Sequence, residues 1–260
     1  MSQGFDLKGS YYSYLNKDTI PSVFIHGVGL DHQMWKPQIN SLNEFSTLTY
    51  DLLGHGNSEL KNDEVTLNDF SNQLKSLLDF LNIKKINLIG FSLGSLIAID
   101  FTLKFKEYLD TLTLMGTTYQ RTDEERSKVL DRFEQAKLNK PISRQALKRW
   151  FSDKYLDDNP EIYSEFMNIL NKEPKDHDNF LKAYKLFANH RDDIRSIKKI
   201  ETKTLIMTGS DDPGSTVSMS KSLSKDLVNS KFVEVKNGKH LCSIECADEV
   251  NINLKNFIYN

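Results

Sequence analysis

The chemistry-bearing signal begins at Gly90-Phe91-Ser92-Leu93-Gly94. This pentapeptide follows an apolar run, residues 86–90, and precedes a helix-like stretch, residues 93–105. A serine between two glycines at such a corner occupies a strained strand-to-helix turn, and its small neighbours let strand and helix approach closely. Its Oγ then projects outward, and the helix N-terminus favours the negative charge that develops when a hydroxyl attacks an acyl carbon. The competing reading of Ser92 is an N-cap in an ordinary strand-to-helix turn.

A serine nucleophile needs a base, and the base needs an acid to orient it. Of six histidines, His240 is placed best: it follows Gly238 and the last strand-like run, in a polar loop before the final helix. His26 closes a strand and opens a glycine-containing loop, which reads as structural. His55 lies between Gly54 and Gly56 in a turn. His32, His177 and His190 fall on loops or in a helical insertion and read as solvated. The acid must come from another strand end. Gly209-Ser210-Asp211-Asp212-Pro213 follows the apolar run at 203–208, so Asp211 and Asp212 are both candidates; the unused one reads as a surface or turn-capping aspartate.

These groups must be positioned by the elements between them. Short β-rich runs recur at residues 21–26, 45–52, 86–90, 111–115, 203–208 and 231–235, several of them apolar on nearly every position. Such runs are buried on both faces, as in a parallel sheet covered by helices. Leu67, Phe70, Leu74, Leu77, Leu78 and Leu81 fall at three- and four-residue intervals and form one apolar stripe of a helix. Residues 93–105, 216–227 and 247–258 repeat that pattern, so the fold class is α/β with a mostly parallel, doubly wound sheet. An opening hairpin is expected in the first twenty residues, with Asn16-Lys17-Asp18 as a turn signal. Residues 118–199 break the rhythm and read as a helical cap divided at Pro141, Pro160 and Pro174. The core is then 1–117 with 200–260. The cap's aromatics are expected mostly to form its own small core, a minority lining an acyl pocket.

Bulk properties narrow the class further. At 260 residues the chain holds one large α/β domain or one with a modest insertion, and a net charge of −2 with scattered basic residues argues against nucleic acid. The two cysteines, Cys242 and Cys246, lack the second pair a structural zinc site needs; Cys242 reads as a buried inert thiol. No phosphate-binding glycine loop and no metal-binding helix pair is present, so neither cofactor nor metal is expected. The N-terminus lacks a secretory pattern and no run is apolar enough to span a membrane, so a cytoplasmic protein is expected.

Taken together, His26-Gly27-Val28-Gly29, Asp31 to Trp35, Tyr50-Asp51-Leu52-Leu53-Gly54-His55-Gly56-Asn57-Ser58, the Ser92 pentapeptide, Gly209 to Pro213 and Gly238-Lys239-His240 resemble α/β-hydrolase-fold esterases and lactonases, in particular those similar to 3-oxoadipate enol-lactonase. The order serine, aspartate, histidine is also that of this fold. The resemblance implies Ser92 as nucleophile and His240 as base, and its G-x-x-D pattern selects Asp212 over Asp211. It implies an oxyanion hole from the main-chain N–H groups of Val28 and Leu93. It extends over Arg149-Trp150-Phe151, which tilts the expectation towards a small carboxylic ester or lactone, with Trp150 in contact with substrate. Carbon–carbon bond hydrolysis or perhydrolysis would use the same triad, and a ligand-binding or signalling role would be the alternative of another class. An anionic substrate would need a cation from among Arg121, Arg144, Arg149 and Arg191.

Overall fold

The structure is a computed structural model that describes residues 1–138, 147–170 and 173–260. Its eight strands are β1 (Ser2–Phe5), β2 (Tyr11–Leu15), β3 (Ser22–Ile25), β4 (Thr47–Tyr50), β5 (Ile86–Phe91), β6 (Leu109–Met115), β7 (Thr204–Gly209) and β8 (Ser230–Val235). They form one sheet in the order β1-β2-β4-β3-β5-β6-β7-β8. β1 and β2 pair antiparallel, as do β2 and β4; all other pairs are parallel. Every residue of β3, β4, β5 and β7 is buried, which explains the apolar runs of β3, β5 and β7; β4 alternates threonine with Leu48 and Tyr50. β8 lies at the edge and is only partly buried. The chain runs from β3 outward to β4, then crosses back to place β5 on the other side of β3. That reversal puts a crevice between the C-terminal ends of β3 and β5.

The opening hairpin exists, but its turn is not where the Asn16-Lys17-Asp18 signal places it. Asp6 closes it instead, accepting the N–H groups of Lys8 (2.9 Å) and Ser10 (2.8 Å) on Oδ1, while Gly9 takes φ +84°. Asn16 turns the chain from β2 towards β3, accepting the Asp18 N–H at 3.1 Å. Local side-chain bonds of this kind favour turns at either place.

Helices cover the sheet. α1 (Lys36–Ser41) follows a short 3₁₀ turn at His32–Trp35 and escapes the periodicity analysis because it is less than two turns long. α2 (Leu67–Phe80) carries the expected stripe and starts with a Thr66–Asp69 capping box. α3 (Leu93–Lys104) is buried over most of its surface because it lies against the central strands. Among the described residues 118–199 are α4 (Asp123–Lys137), α5 (Asp153–Asp158), α6 (Pro160–Leu170), α7 (Pro174–Asn189) and α8 (Ile194–Ile197), with no strand. Pro160 and Pro174 open helices, where a missing N–H costs nothing; Pro141 lies outside the described residues. α9 (Val217–Asp226), the one-turn α10 (Cys242–Glu245) and α11 (Ala247–Tyr259) complete the chain.

The aromatics of this insertion do not make a separate core. Val129, Phe133 and Phe187 join the cluster that holds Leu77, Ile97 and Leu112. Phe151, Leu156 and Phe166 join the one that holds Phe24, Trp35 and Met207. Its helices bury their apolar faces against the sheet and its cover.

The crevice depends on close backbone approach. A Cβ at Gly94 would press on the carbonyl oxygens of Ile25 and of His26, the latter at 2.6 Å. Main-chain atoms of β3 and α3 cannot yield as a flexible side chain would. Gly94→Ala is therefore expected to destabilise the protein by about 3 kcal/mol, more than offsetting the ~1 kcal/mol by which alanine favours a helix. Urea unfolding midpoints test this, and an unchanged midpoint would contradict the close approach.

Candidate active site

Ser92 links β5 to α3 at φ +54° and ψ −115°. A non-glycine residue held there costs of order 1–3 kcal/mol and persists only where its surroundings over-determine it. They do so here. The Ser92 N–H donates to the Met115 carbonyl at 2.9 Å. A Cβ on Gly90 would stand 2.6 Å from the Gly94 carbonyl carbon and 2.8 Å from Ser95 Cα, so only glycine lets β5 meet the first turn of α3. Ser95 adds a lock that sequence reasoning missed: its buried hydroxyl donates to the Gly90 carbonyl (2.7 Å) and accepts the Met115 N–H (3.2 Å). Leu93 opens α3, so its N–H belongs to the first turn, which has no carbonyl partner within the helix.

Two loops from the neighbouring strand ends meet beside this corner. The loop after β7 and the loop after β8 are joined by Ser210 N–H to Val235 O (2.8 Å) and Asp211 N–H to Gly238 O (2.9 Å). Gly209 packs against the Gly238 carbonyl too closely for any side chain. Asp211 points to solvent and accepts from Ser210 Oγ. Asp212 turns inward: Oδ1 accepts the N–H groups of Gly214 (2.8 Å) and Ser215 (2.9 Å), and Oδ2 stands 2.6 Å from His240 Nδ1. Of the two aspartates, Asp212 is the one that the fold brings to His240. A carboxylate at Nδ1 holds the proton there and leaves the lone pair on Nε2. The His240 ring lies 4.8 Å from the ring of Phe91, the residue before Ser92. It also borders Gly116, whose Cβ would be 3.3 Å from His240 Cε1.

The third wall is the loop after β3. His26 is fully buried, which pulls its imidazole below the usual value. It donates from Nδ1 to the Gly27 carbonyl (2.8 Å) and accepts the Leu52 N–H on Nε2 (2.9 Å), so it ties two loops together as a neutral ring. A Cβ on Gly27 would lie 3.4 Å from Ser92 Cβ, so this loop packs against the serine, and half-buried Val28 is its next residue. Behind this loop His32 is not solvated. Its Nδ1 is 2.7 Å from buried Asp51 Oδ1, which also accepts the His32 N–H, while Oδ2 accepts the Asn57 N–H at 2.8 Å. Asp31, His32 and Asp51 bring ligand-type atoms within 4.8 Å of one another. Protein donors already engage the Asp51 oxygens, and Asp31 Oδ1 accepts the Gln33 N–H at 2.8 Å.

The family of the alpha/beta hydrolase fold matches residues 23–246. The chain belongs to this family. It is 27% identical over 239 residues to (E)-2-((N-methylformamido)methylene)succinate hydrolase of Acinetobacter baylyi, covering 89% of this chain and 87% of that protein. With 3-oxoadipate enol-lactonase 1 of the same species it shares 28% identity over 225 residues, 86% of this chain and 82% of the relative. The crystal structure of the enol-lactonase from Burkholderia xenovorans superposes with a TM-score of 0.84 at 20% identity, over 100% of both chains. No helix among the described residues is long and apolar enough to cross a membrane.

Around this hydrolase's strand ends the insertion closes in. Phe180 would meet a Cβ on Gly29 at 3.0 Å, and Asn179 one on Gly54 at 2.9 Å. Trp150 is half-buried, 6.1 Å from the Phe166 ring, and its carbonyl accepts the Leu241 N–H at 3.0 Å, next to His240. Of the candidate cations, Arg121 donates to the Phe187 (2.9 Å) and His190 (3.0 Å) carbonyls at the end of α7; burial pushes it down to about 10. Arg149 is exposed, yet partial desolvation and the nearby Arg132 charge pull it below the usual arginine value. Arg191 is exposed, and Arg144 lies outside the described residues. Cys242 and Cys246 are free thiols. Burial raises both, Cys246 to about 11 and Cys242 further, which leaves neither a nucleophile at neutral pH.

The His32–Asp51 pair sets a pH dependence of stability. Burial pulls His32 down, but the Asp51 hydrogen bond and charge outweigh it and raise His32 above the usual 6.5. Burial pushes Asp51 up, but the His32 hydrogen bond and charge, together with the Asn57 N–H, outweigh it and take Asp51 below 3.8. The histidine contribution is complete below 6.5 and disappears as pH rises through the raised value; the aspartate contribution is complete above 3.8 and disappears as pH falls through the lowered one. The stability difference between wild type and His32→Gln is thus expected to be largest near about pH 5 and to shrink towards about pH 9. A difference that stays flat across that range in urea titrations would rule out an ion pair.

Proposed function

We propose that this hydrolase cleaves a small carboxylic ester or lactone through an acyl-enzyme on Ser92, with His240 as general base and Asp212 as its orienting acid. The observation that carries the reading is the 2.6 Å contact of His240 Nδ1 with buried Asp212, beside a serine held at φ +54°. His240 Nε2 takes the Ser92 proton as Oγ attacks the acyl carbon, and Asp212 stabilises the imidazolium. The Val28 and Leu93 N–H groups receive the oxyanion, one from each side of the crevice. His240 then gives its proton to the leaving oxygen, and water repeats the sequence to release the acid. Every step uses the chain's own groups, so no cofactor or metal is required. Residues 118–199 act as the cap, with Trp150 forming part of the wall over His240.

The substrate bears a carboxylate in this reading. Two relatives are named for a substituted succinate and for an oxoadipate enol-lactone, both carboxylic acids. Arg149 adjoins Trp150, and among the described residues the Arg132 charge acts on it, so an anion placed there relieves repulsion as well as gaining a partner.

Wild type is expected to turn over p-nitrophenyl acetate and butyrate repeatedly, and Ser92→Ala not at all. Asp212→Asn should lose about 10³- to 10⁴-fold in kcat, while Asp211→Asn keeps its rate. A wild type inert to both esters and to a serine-reactive phosphonate would defeat the triad and favour a ligand-binding role. Arg149→Ala is expected to raise KM about tenfold for an ester carrying a free carboxylate and leave its neutral analogue unaffected. Equal changes for the two esters would remove Arg149 from anion recognition.

A further inference from the structure

Two hydrogen bonds bind the His240 loop directly to residues 148–152 of the insertion, and two more link the segments indirectly. Lys239 Nζ donates to the Lys148 carbonyl at 2.6 Å, and the Leu241 N–H donates to the Trp150 carbonyl at 3.0 Å. The other two converge on one side chain. Glu245 accepts the Ser152 N–H on Oε1 at 3.0 Å and the Lys239 N–H on Oε2 at 3.2 Å. It stands at the end of α10, belongs to neither segment and touches both.

The two amides it holds are consequential. Lys239 is the residue before His240, so holding its N–H restrains the backbone that carries the imidazole. Ser152 is the N-cap of α5, and its hydroxyl accepts the Tyr155 N–H at 3.2 Å. Its own N–H precedes the helix and has no partner within it. Trp150 lies two residues away. A carboxylate bonded to two main-chain amides forms charge-assisted bonds, stronger than neutral ones and directional at both oxygens.

We propose that Glu245 is a positioning residue: a carboxylate strut that fixes the His240 loop against the cap turn carrying Trp150, so that the base and the pocket wall hold one alignment. The inference rests on Ser92 and His240 acting as proposed above, and it adds a residue that no sequence motif marks. Glu245→Gln keeps the shape and one acceptor oxygen. Glu245→Met keeps the volume and no acceptor. A role in packing alone would make these two variants equal; a hydrogen-bonding strut would separate them.

The test measures the rate at which a fluorophosphonate labels Ser92, together with residue-resolved amide hydrogen exchange. Relative to wild type, Glu245→Met is expected to label about tenfold more slowly, the scale of a small misplacement of a catalytic group. Glu245→Gln should fall between the two, and the Lys239 and Ser152 amides should exchange faster in Glu245→Met than in wild type. Equal labelling by Gln and Met variants, or labelling by both at the wild-type rate, overturns the proposal. If Glu245→Met does not fold, Glu245→Gln decides: slower labelling with faster exchange at one of the two amides supports the strut, and wild-type behaviour in both refutes it. A wild type that is not labelled at all would instead sink the Ser92 reading, and the amide exchange would then judge the strut alone.

Discussion

The backbone of Ser92 at positive φ is the constraint on which the site hangs, and it exists only because main chains approach closely around it. Gly90 admits the first turn of α3, Gly94 admits β3, and the Ser95 hydroxyl on that first turn links Gly90 to Met115. A side chain at either glycine would push α3 off the sheet and let Ser92 relax into an ordinary helical conformation. The serine would then be a cap, which is the other reading its sequence position allows. Buried helical and sheet packing over α3 supplies the free energy that holds this strained residue in place.

The same economy of backbone contact brings the other two groups in. Gly209 and Gly238 let the loops after β7 and β8 lie against each other, and two further amides, from Gly214 and Ser215, rotate the Asp212 carboxylate inward. His26 performs the corresponding task on the opposite wall, as a neutral bridge between the loops after β3 and β4. His32 and Asp51 stiffen that wall from behind by ion pairing. Three walls built from different strand ends thus converge at the crevice that the strand order creates.

Much of this is legible in the sequence, and the rest resists for physical reasons. Apolar runs such as 86–90 and the stripe from Leu67 to Leu81 announce strands and helices because burial imposes a period of its own. The Ser92 pentapeptide and Gly238 with His240 stand out because close approach demands glycine. Asp211 and Asp212 are equivalent by position, and only the bonds that turn one carboxylate inward separate them. α1 is too short for a period. The opening turn has two side chains able to form it, and Asp6 prevails over Asn16 at the hairpin. Ser95, Glu245 and the His32–Asp51 pair depend on partners 20, 93 and 19 residues away, and separations of that kind leave no local signature.

The shared core of the insertion has a consequence for exchange between relatives. Phe151 and Phe166 pack in one cluster with Phe24 and Trp35, and Phe133 and Phe187 in another with Leu77 and Ile97. The described residues of 118–199 are therefore not a cassette. A graft that moves them into another scaffold carries half of each interface and leaves its complement behind, on both flanks of the recipient's sheet. Diversification of this segment must proceed by substitutions that the sheet's own cover accommodates at the same time, so its sequence and the stability of the core evolve as one trait.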